Sequence, residues 1–393
     1  MERKVLVRIT TIPISLEKLL EGQLGYMNNY FEVIAVSAEP EKLRNFAKKE
    51  GIRFFSVDLT RKITPLKDIV AVFKLYKFFK QEEPDIIHTH TPKAGIVGMT
   101  AAWLAGVPNR LHTVAGLPLM EATGKKRSLL DFVEKLTYRF ATKVNPNSKG
   151  LYDFIVAEKL AKPEKLKIIG QASSNGIDTQ YFDPTLFAST RTTLRQDLNI
   201  PQDSFVFIFV GRLVGDKGIN ELVAAFERLE IGDLRREMLD VRLLLVGPLE
   251  TELDPLKADT LQAIENNPII ISVGYQQDVR PYFAAADALA FPSYREGFPN
   301  VVMQAGAMEL PSIVTDINGC NEIIIPNVNG LIIPPKNTEA LAEAMQVLLN
   351  DPNLYQHLKR NARIQITSRF ERQQVWDALL EEYQSLLKRE KQN

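Results

Sequence analysis

A chain of 393 residues is longer than one ordinary core supports, so two domains are expected. Its 45% apolar and 24% charged residues suit a globular protein, and no apolar run approaches the ~18 residues of a membrane-crossing helix. Formal charge is zero overall, yet residues 1–187 carry 28 Lys and Arg against 20 Asp and Glu and the rest the reverse, too small an excess to point to nucleic acid.

The opening MERKVLVRIT runs straight into a strand without the apolar core of a secretory signal. With a single cysteine, Cys320, no intrachain disulfide can form, and a cytoplasmic location is expected. Strands follow at KVLVRIT, FEVIAVSA, IRFFSVDL, DIIHTH and RLHTVAG, with helices such as LKDIVAVFKLYKFFKQ and SLLDFVEKLTYRFATK among them. Residues 116–128 read as a loop ending in Lys125, Lys126 and Arg127. The polar stretch around 178–204 carries the join. Strands resume at FVFIFVG, VRLLLVG, IIISVGY, ALAFPS, PSIVTD and GLIIP, and three helices close the chain at about 338–350, 352–367 and 371–388.

Most of these strands are solid apolar runs rather than alternating ones, as expected where helices cover both faces of a parallel sheet. The fold class is therefore α/β, with two doubly wound Rossmann-like domains. We place them at 1–187 and 188–370, with 371–393 packing back on the first.

Chemistry is sought at the loops beyond the strands' carboxyl ends. In FVFIFVGRLVGDKGINELVAAF a buried strand ends at Gly211, then Arg212 and Lys217 precede a helix. A planar fork and a point charge on a glycine-rich turn suit a diphosphate, though a plain turn with two solvated cations is the bland alternative. No Walker A pattern is present. In SYREGFPNVVMQAGAM, Glu296 stands before Gly-Phe-Pro-Asn and a helix, with Pro299 suited to its first turn. Amides near Asn300 and Val301 can meet a phosphate oxygen, and Glu296 can accept from sugar hydroxyls. The bland alternative is a capping loop with an exposed acid. Asp-x-Asp is absent from the chain, so no paired carboxylates of that kind offer to hold a metal ion.

GRLVGDKG, the stretch from VGYQQDVRPYF through SIVTD, and GLIIPP together resemble the nucleotide-binding domain of retaining family 4 glycosyltransferases of the GT-B fold. PDIIHTHTPKAGIVG, RLHTVAGLP and SSNGIDTQYFDP extend the resemblance, more weakly, into the first half, in a form similar to enzymes of bacterial capsule, O-antigen and related glycan assembly.

The resemblance implies domains facing across a cleft, a nucleotide-diphosphate sugar donor with a UDP-sugar favoured, and a saccharide acceptor, lipid-linked by expectation. It implies neither cofactor nor metal. Arg212 and Lys217 would neutralise the diphosphate and Glu296 would contact the donor sugar. Gly211 and the backbone near Phe298, Pro299, Asn300 and Val301 would line the donor, Tyr275 and Gln276 would border the base, and His112 would approach the sugar. The family's second acid is here Gln304, which can still bind ribose hydroxyls.

For the acceptor, candidates are His90, Lys93, Lys125, Lys126 and Arg127. His88 and His90 alternate along a strand and so share a face; without cysteines or carboxylates nearby, zinc is not expected. The basic, aromatic helix at 66–81 either packs on the sheet or lies on an anionic membrane. Rival readings are a GT-B sugar-nucleotide 2-epimerase and an inactive nucleotide-sugar-binding assembly protein. A dehydrogenase is disfavoured, since no G-x-G-x-x-G opens either half.

Overall fold

The computed structural model describes residues 3–60, 62, 64–120, 122–231, 240–252 and 254–390. It divides into two compact units, Met1–Gly176 with Arg372–Asn393, and Ile177–Glu371. The first join thus lies at 176/177, not 187/188. Residues 177–187 go with the second unit because Ile177 N donates to Phe370 O (2.8 Å) and Arg363 donates to the carbonyls of Thr179 and Phe182 (both 2.7 Å).

In the first unit the strands are β1 (Val5–Ile9), β2 (Glu32–Ser37), β3 (Arg53–Ser56), β4 (Ile86–His90), β5 (Asn109–Val114) and β6 (Lys143–Pro146). They form one parallel sheet in the order β3-β2-β1-β4-β5-β6. Two-residue periodicity sends alternate side chains to opposite faces. Val7, Ile9, Val36, Ile87 and Val144 join one core with Ala71, Leu75 and Phe79 of helix Pro65–Glu82. Leu6, Val33, Ala35, Ile86 and Leu111 join another with Leu16, Leu20 and Leu24. Leu379, Tyr383 and Leu386 complete that second core from helix Arg372–Glu390, at the spacing of one helical face.

The second unit repeats the plan with β7 (Phe205–Val210), β8 (Val241–Val246), β9 (Ile270–Ser272), β10 (Ala288–Phe291), β11 (Ser312–Thr315) and β12 (Gly330–Ile333). The order is β12-β11-β10-β7-β8-β9, again parallel. Leu222, Val223, Phe226 and Leu229 of helix Ile219–Ile231 are all buried. Beneath the sheet, the fully buried Arg195 meets Asp287 Oδ2 at 2.8 Å and donates to the carbonyls of Ala285, Gln202 and Ser204, while Asp287 accepts from Val206 N.

Relabelled from each unit's own first strand, both sheets run 3-2-1-4-5-6. Chain direction across the sheet therefore reverses between β1 and β4, and between β7 and β10. At such a reversal the flanking loops turn away from each other and leave room for a ligand at the carboxyl ends.

Candidate functional site

At the β7/β10 reversal, two loops far apart in sequence meet. After β7 the chain passes Gly211 and Arg212, makes a tight turn over Gly215–Lys217, and enters helix Ile219–Ile231 through Gly218. Gly218 has φ +72°, and a Cβ there would lie 2.2 Å from Pro292 O, so only glycine lets the two loops close up. After β10, Ser293 through Pro299 lead into helix Asn300–Ala307.

Lys217 Nζ lies 2.5 Å from Glu296 Oε1, and both side chains are largely buried. Ser293 Oγ donates to the same oxygen at 2.9 Å, leaving Oε2 for a ligand. The Lys217 ammonium has three protons and can serve Glu296 and a phosphate together. The loop is braced from below: Tyr294 N donates to Asp216 O (2.9 Å), Arg295 meets Asp216 Oδ2 (2.9 Å), and Tyr294 donates to Glu221 (2.7 Å). Asn318 Nδ2 donates to the carbonyls of Glu296 and Gly297 (3.1 and 2.6 Å). The sequence reading assigned nothing to Ser293 or Asn318. Ser293 stood within the motif, but Asn318 comes from the loop after β11, and nothing local announces it.

Helix Asn300–Ala307 begins one residue later than expected: Pro299 is its N-cap, not its first turn, and no side chain caps it. Its leading amides are thus open to an anion, with the helix dipole favouring one. Gln304 is the helix neighbour of Asn300 at i,i+4 and of Val301 at i,i+3, and it is half-buried. Phe298 buries its ring edge-on against Phe370 (5.4 Å), so only its backbone can face a ligand. Arg212 is half-exposed and meets Glu250 Oε2 at 3.0 Å. Gly211 packs against β8's end, where Gly247 approaches its carbonyl too closely for any Cβ. Tyr275 is exposed in the loop after β9, and Gln276 Nε2 donates to Val273 O (2.8 Å).

In the first unit, His112 departs from expectation. Its ring is buried on the β5 face toward helix Pro92–Ala105, with Nδ1 2.8 Å from Thr89 Oγ1 and Tyr138's ring centroid 5.9 Å away. Gly95 makes room for it: a Cβ there would stand 2.6 Å from His112 Cε1. Burial lowers its pKa from 6.5 to about 4, so the ring is neutral at pH 7.

Lys93 is mostly buried, 2.5 Å from Asp68 Oδ2, and Arg127 meets Glu158 Oε2 (2.6 Å) and donates to Leu119 O (3.0 Å), so both are engaged inside the unit. Lys125 and Lys126 are exposed, but in the first turn of helix Gly124–Phe140 rather than in a loop. His88 and His90 do share a face, their rings stacked at 4.6 Å, and both are buried.

A family model described as glycosyl transferases group 1 matches residues 190–365, and a glycosyl transferase 4-like domain matches residues 29–171. The chain is 29% identical, over 99% of both sequences, to the capsular polysaccharide biosynthesis glycosyltransferase CapM of Staphylococcus aureus. It is 29% identical to the UDP-Gal:alpha-D-GlcNAc-diphosphoundecaprenol alpha-1,3-galactosyltransferase of Escherichia coli, over 87% of this chain and 86% of that one. The crystal structure of Anabaena Alr3699/HepE in complex with UDP-glucose superposes with a TM-score of 0.80 at 20% identity, covering 97% of this chain and 99% of that one. The chain belongs to the group 1, family 4-like glycosyltransferases and has their GT-B fold.

Proposed function

We propose that the protein moves a glycosyl group from a nucleotide-diphosphate sugar, a UDP-sugar by preference, to a hydroxyl of a lipid-linked saccharide, with retention and without a metal ion. The observation that carries this reading is the Lys217–Glu296 pair at the β7/β10 reversal, ahead of an uncapped helix. Lys217, Arg212 and the amides of Asn300 and Val301 supply fixed positive charge for a departing diphosphate. Glu296 Oε2 and Gln304 supply acceptors for sugar hydroxyls. The UDP-sugar named for the E. coli relative and the UDP-glucose in HepE support the donor, and the diphosphoundecaprenol carrier of that relative supports the acceptor.

In the transfer, the bond between the anomeric carbon and the diphosphate oxygen breaks, and its electron pair leaves with the diphosphate. The acceptor oxygen bonds the anomeric carbon from the same face, and its proton passes to the leaving phosphate oxygen. Charge builds on the diphosphate as the bond lengthens, and preorganised donors stabilise that state more than the bound substrate.

An anionic membrane surface is part of the proposal. Helix Pro65–Glu82 buries Ala71, Leu75 and Phe79 but leaves a second apolar stripe, Leu66, Ile69, Val70 and Phe73, facing water. Those positions are i, i+3, i+4 and i+7, one helical face, with Lys67, Lys74 and Lys77 around them. Exposed Leu129 and Phe132 on helix Gly124–Phe140, after Lys125 and Lys126, repeat the combination. Among the described residues no helix is long and apolar enough to cross a membrane.

The test is release of nucleoside diphosphate and sugar transfer, measured with a panel of UDP-sugars, for the parent and for Lys217→Ala and Glu296→Gln. Each substitution is expected to cost about 100- to 1,000-fold in turnover. Near-parental rates in both would refute the assignment, and donor binding without any turnover in the parent would favour the inactive binder.

A further inference from the structure

Among the described residues two arginines are fully buried, and they differ in one respect. Arg195 has the Asp287 carboxylate at 2.8 Å. Arg8, on β1, meets only neutral groups: Nη2 lies 2.8 Å from Gln23 Oε1 and 2.7 Å from His90 Nε2, and Nη1 lies 3.0 Å from Tyr383 Oη. A guanidinium can donate but never accept, so it sets the direction of every hydrogen bond it starts.

The first chain of bonds runs through His90. Its Nε2 accepts from Arg8, so the ring proton sits on Nδ1. That Nδ1 is buried and has no partner. The second chain runs through Tyr383, whose oxygen accepts from Arg8. In the arrangement that leaves no buried hydroxyl proton unbonded, the Tyr383 proton goes to His88 Nδ1, 2.6 Å away, and His88 Nε2 carries a proton and donates to Thr113 Oγ1 at 2.7 Å. The Thr113 hydroxyl, having accepted, keeps its proton to donate onward. Burial and the Arg8 charge hold both imidazoles well below the usual histidine pKa, so both stay neutral and the bond directions persist at neutral pH.

Both chains end at one cavity of about 20 Å³, lined by His88, His90, Thr113, Asn145, Asn147 and Ser174 among others. That is room for one water-sized group. Two further orphans belong to the lining: Asn145 Oδ1 and Asn147 Oδ1 are buried and accept from nothing. Asn145 cannot be flipped to hide this, because its Nδ2 donates to Lys167 O at 2.9 Å. Asn147 Nδ2 donates to Ser174 Oγ at 3.3 Å. By the same rule the Ser173 and Ser174 hydroxyls, which accept from Gly176 N and Asn147 Nδ2, keep their protons, so the wall offers the donors His90 and Thr113 with these two serines, and two unfilled acceptors. An anion would face two carbonyl oxygens and a cation the proton donors. A hydroxyl, with two lone pairs and one proton, meets both kinds of group, accepting from two donors and donating to one of the carbonyls. The cavity lies at the carboxyl ends of β4, β5 and β6, on the face covered by helix Arg372–Glu390, beside the β1/β4 reversal.

We propose that this cavity receives one hydroxyl group of the acceptor saccharide, gripped by His90 and Thr113 as donors and by one of the Asn145 and Asn147 carbonyls as acceptor. The proposal rests on the glycosyl-transfer reading and extends it to a specificity-determining pocket in the first unit. Removing that one hydroxyl from the acceptor strands up to three buried polar atoms, so the pocket selects among sugars that differ at a single carbon. Arg8, Tyr383 and His88 act through Thr113 and His90 and are positioning residues.

The probe is alkyl-diphosphate-linked N-acetylglucosamine with its 3-, 4- and 6-deoxy analogues, tested on the parent, Thr113→Val and Thr113→Ser. Transfer is read as kcat/KM and binding by calorimetry. For the parent, one deoxy analogue is expected to fall about tenfold or more behind the full sugar. In Thr113→Val that ratio should shrink at least about threefold, and Thr113→Ser, which keeps the hydroxyl, should restore it. If the parental ratio survives in Thr113→Val, or no analogue is penalised by the parent, the cavity holds resident water only and the proposal falls while transfer stands. If the ratio in binding behaves as expected but no sugar is transferred, the cavity stands and the transfer reading falls. If the parent neither binds the probe nor transfers sugar to it, the pocket proposal falls.

Discussion

Gly218→Ala tests whether the two loops of the donor site are as tightly joined as the structure shows. The new Cβ would lie 2.2 Å from Pro292 O, 2.8 Å from Pro292 C and 3.0 Å from Pro292 Cγ, at φ +72°. Left-handed backbone costs a non-glycine residue about 1–2 kcal/mol. Overlap with a carbonyl that cannot swing aside adds about 1–3 kcal/mol. Pro292 cannot swing because Tyr294 N is bonded to Asp216 O two residues before Gly218. Together these predict a loss of about 2–5 kcal/mol. Gly274→Ala is the control: its φ is +66°, but nothing lies within 4 Å of the added Cβ, so only the backbone cost applies. Urea unfolding followed by circular dichroism, at unchanged slope, should put Gly218→Ala at least about 1 kcal/mol below Gly274→Ala. Equal midpoints for the two would show that the β7 and β10 loops are not packed as described. Where Gly218→Ala still folds, transfer should fall with it, because the displaced carbonyl carries Glu296 away from Lys217.

Acid should destabilise the first unit through its buried imidazoles. The folded pKa of His112, about 4, lies below its unfolded value of 6.5, so the unfolded chain binds more protons in that window and stability falls as pH drops through it. The His112 share is on the order of 3 kcal/mol, and His88 and His90 act in the same direction. Urea midpoints from pH 7.5 to 5 should fall less steeply for His112→Gln than for the parent, and equal slopes would contradict the burial. Asp287→Ala leaves Arg195 buried without its carboxylate and should cost about 3–5 kcal/mol of stability, a loss absent from Glu250→Ala, whose ion pair with Arg212 is half-exposed. Ile69→Glu with Phe73→Glu should abolish co-sedimentation with phosphatidylglycerol vesicles at low salt while leaving the unfolding midpoint within about 0.5 kcal/mol. Undiminished vesicle binding would remove helix Pro65–Glu82 from the membrane contact.

What the sequence determined by itself was local and repetitive. Solid apolar runs such as FVFIFVG and ALAFPS are strands in the structure, and the loops after these two hold Lys217 and Glu296. Glycine followed by cations, and an acid followed by a helix start, are signals confined to a few residues. The tertiary structure decided everything that depends on which strands become neighbours. Loops after β7 and β10 lie 79 residues apart at Lys217 and Glu296, and only the strand order brings them together.

Period-two alternation says that His88 and His90 share a face and that His112 and Thr113 take opposite ones, but not which face holds which chemistry. Helix Arg372–Glu390 settles that by bringing Tyr383 to Arg8, across 375 residues, so that Thr113 lies by the polar cavity and His112 in the opposite core. Lys93 looked like a free cation until helix Pro65–Glu82 brought Asp68 to it. That same helix is apolar on two sides, and a residue pattern alone cannot say which side meets the sheet and which meets water. Periodicity is a property of the local backbone, whereas a side chain's partner is set by long-range packing that no short window of residues contains.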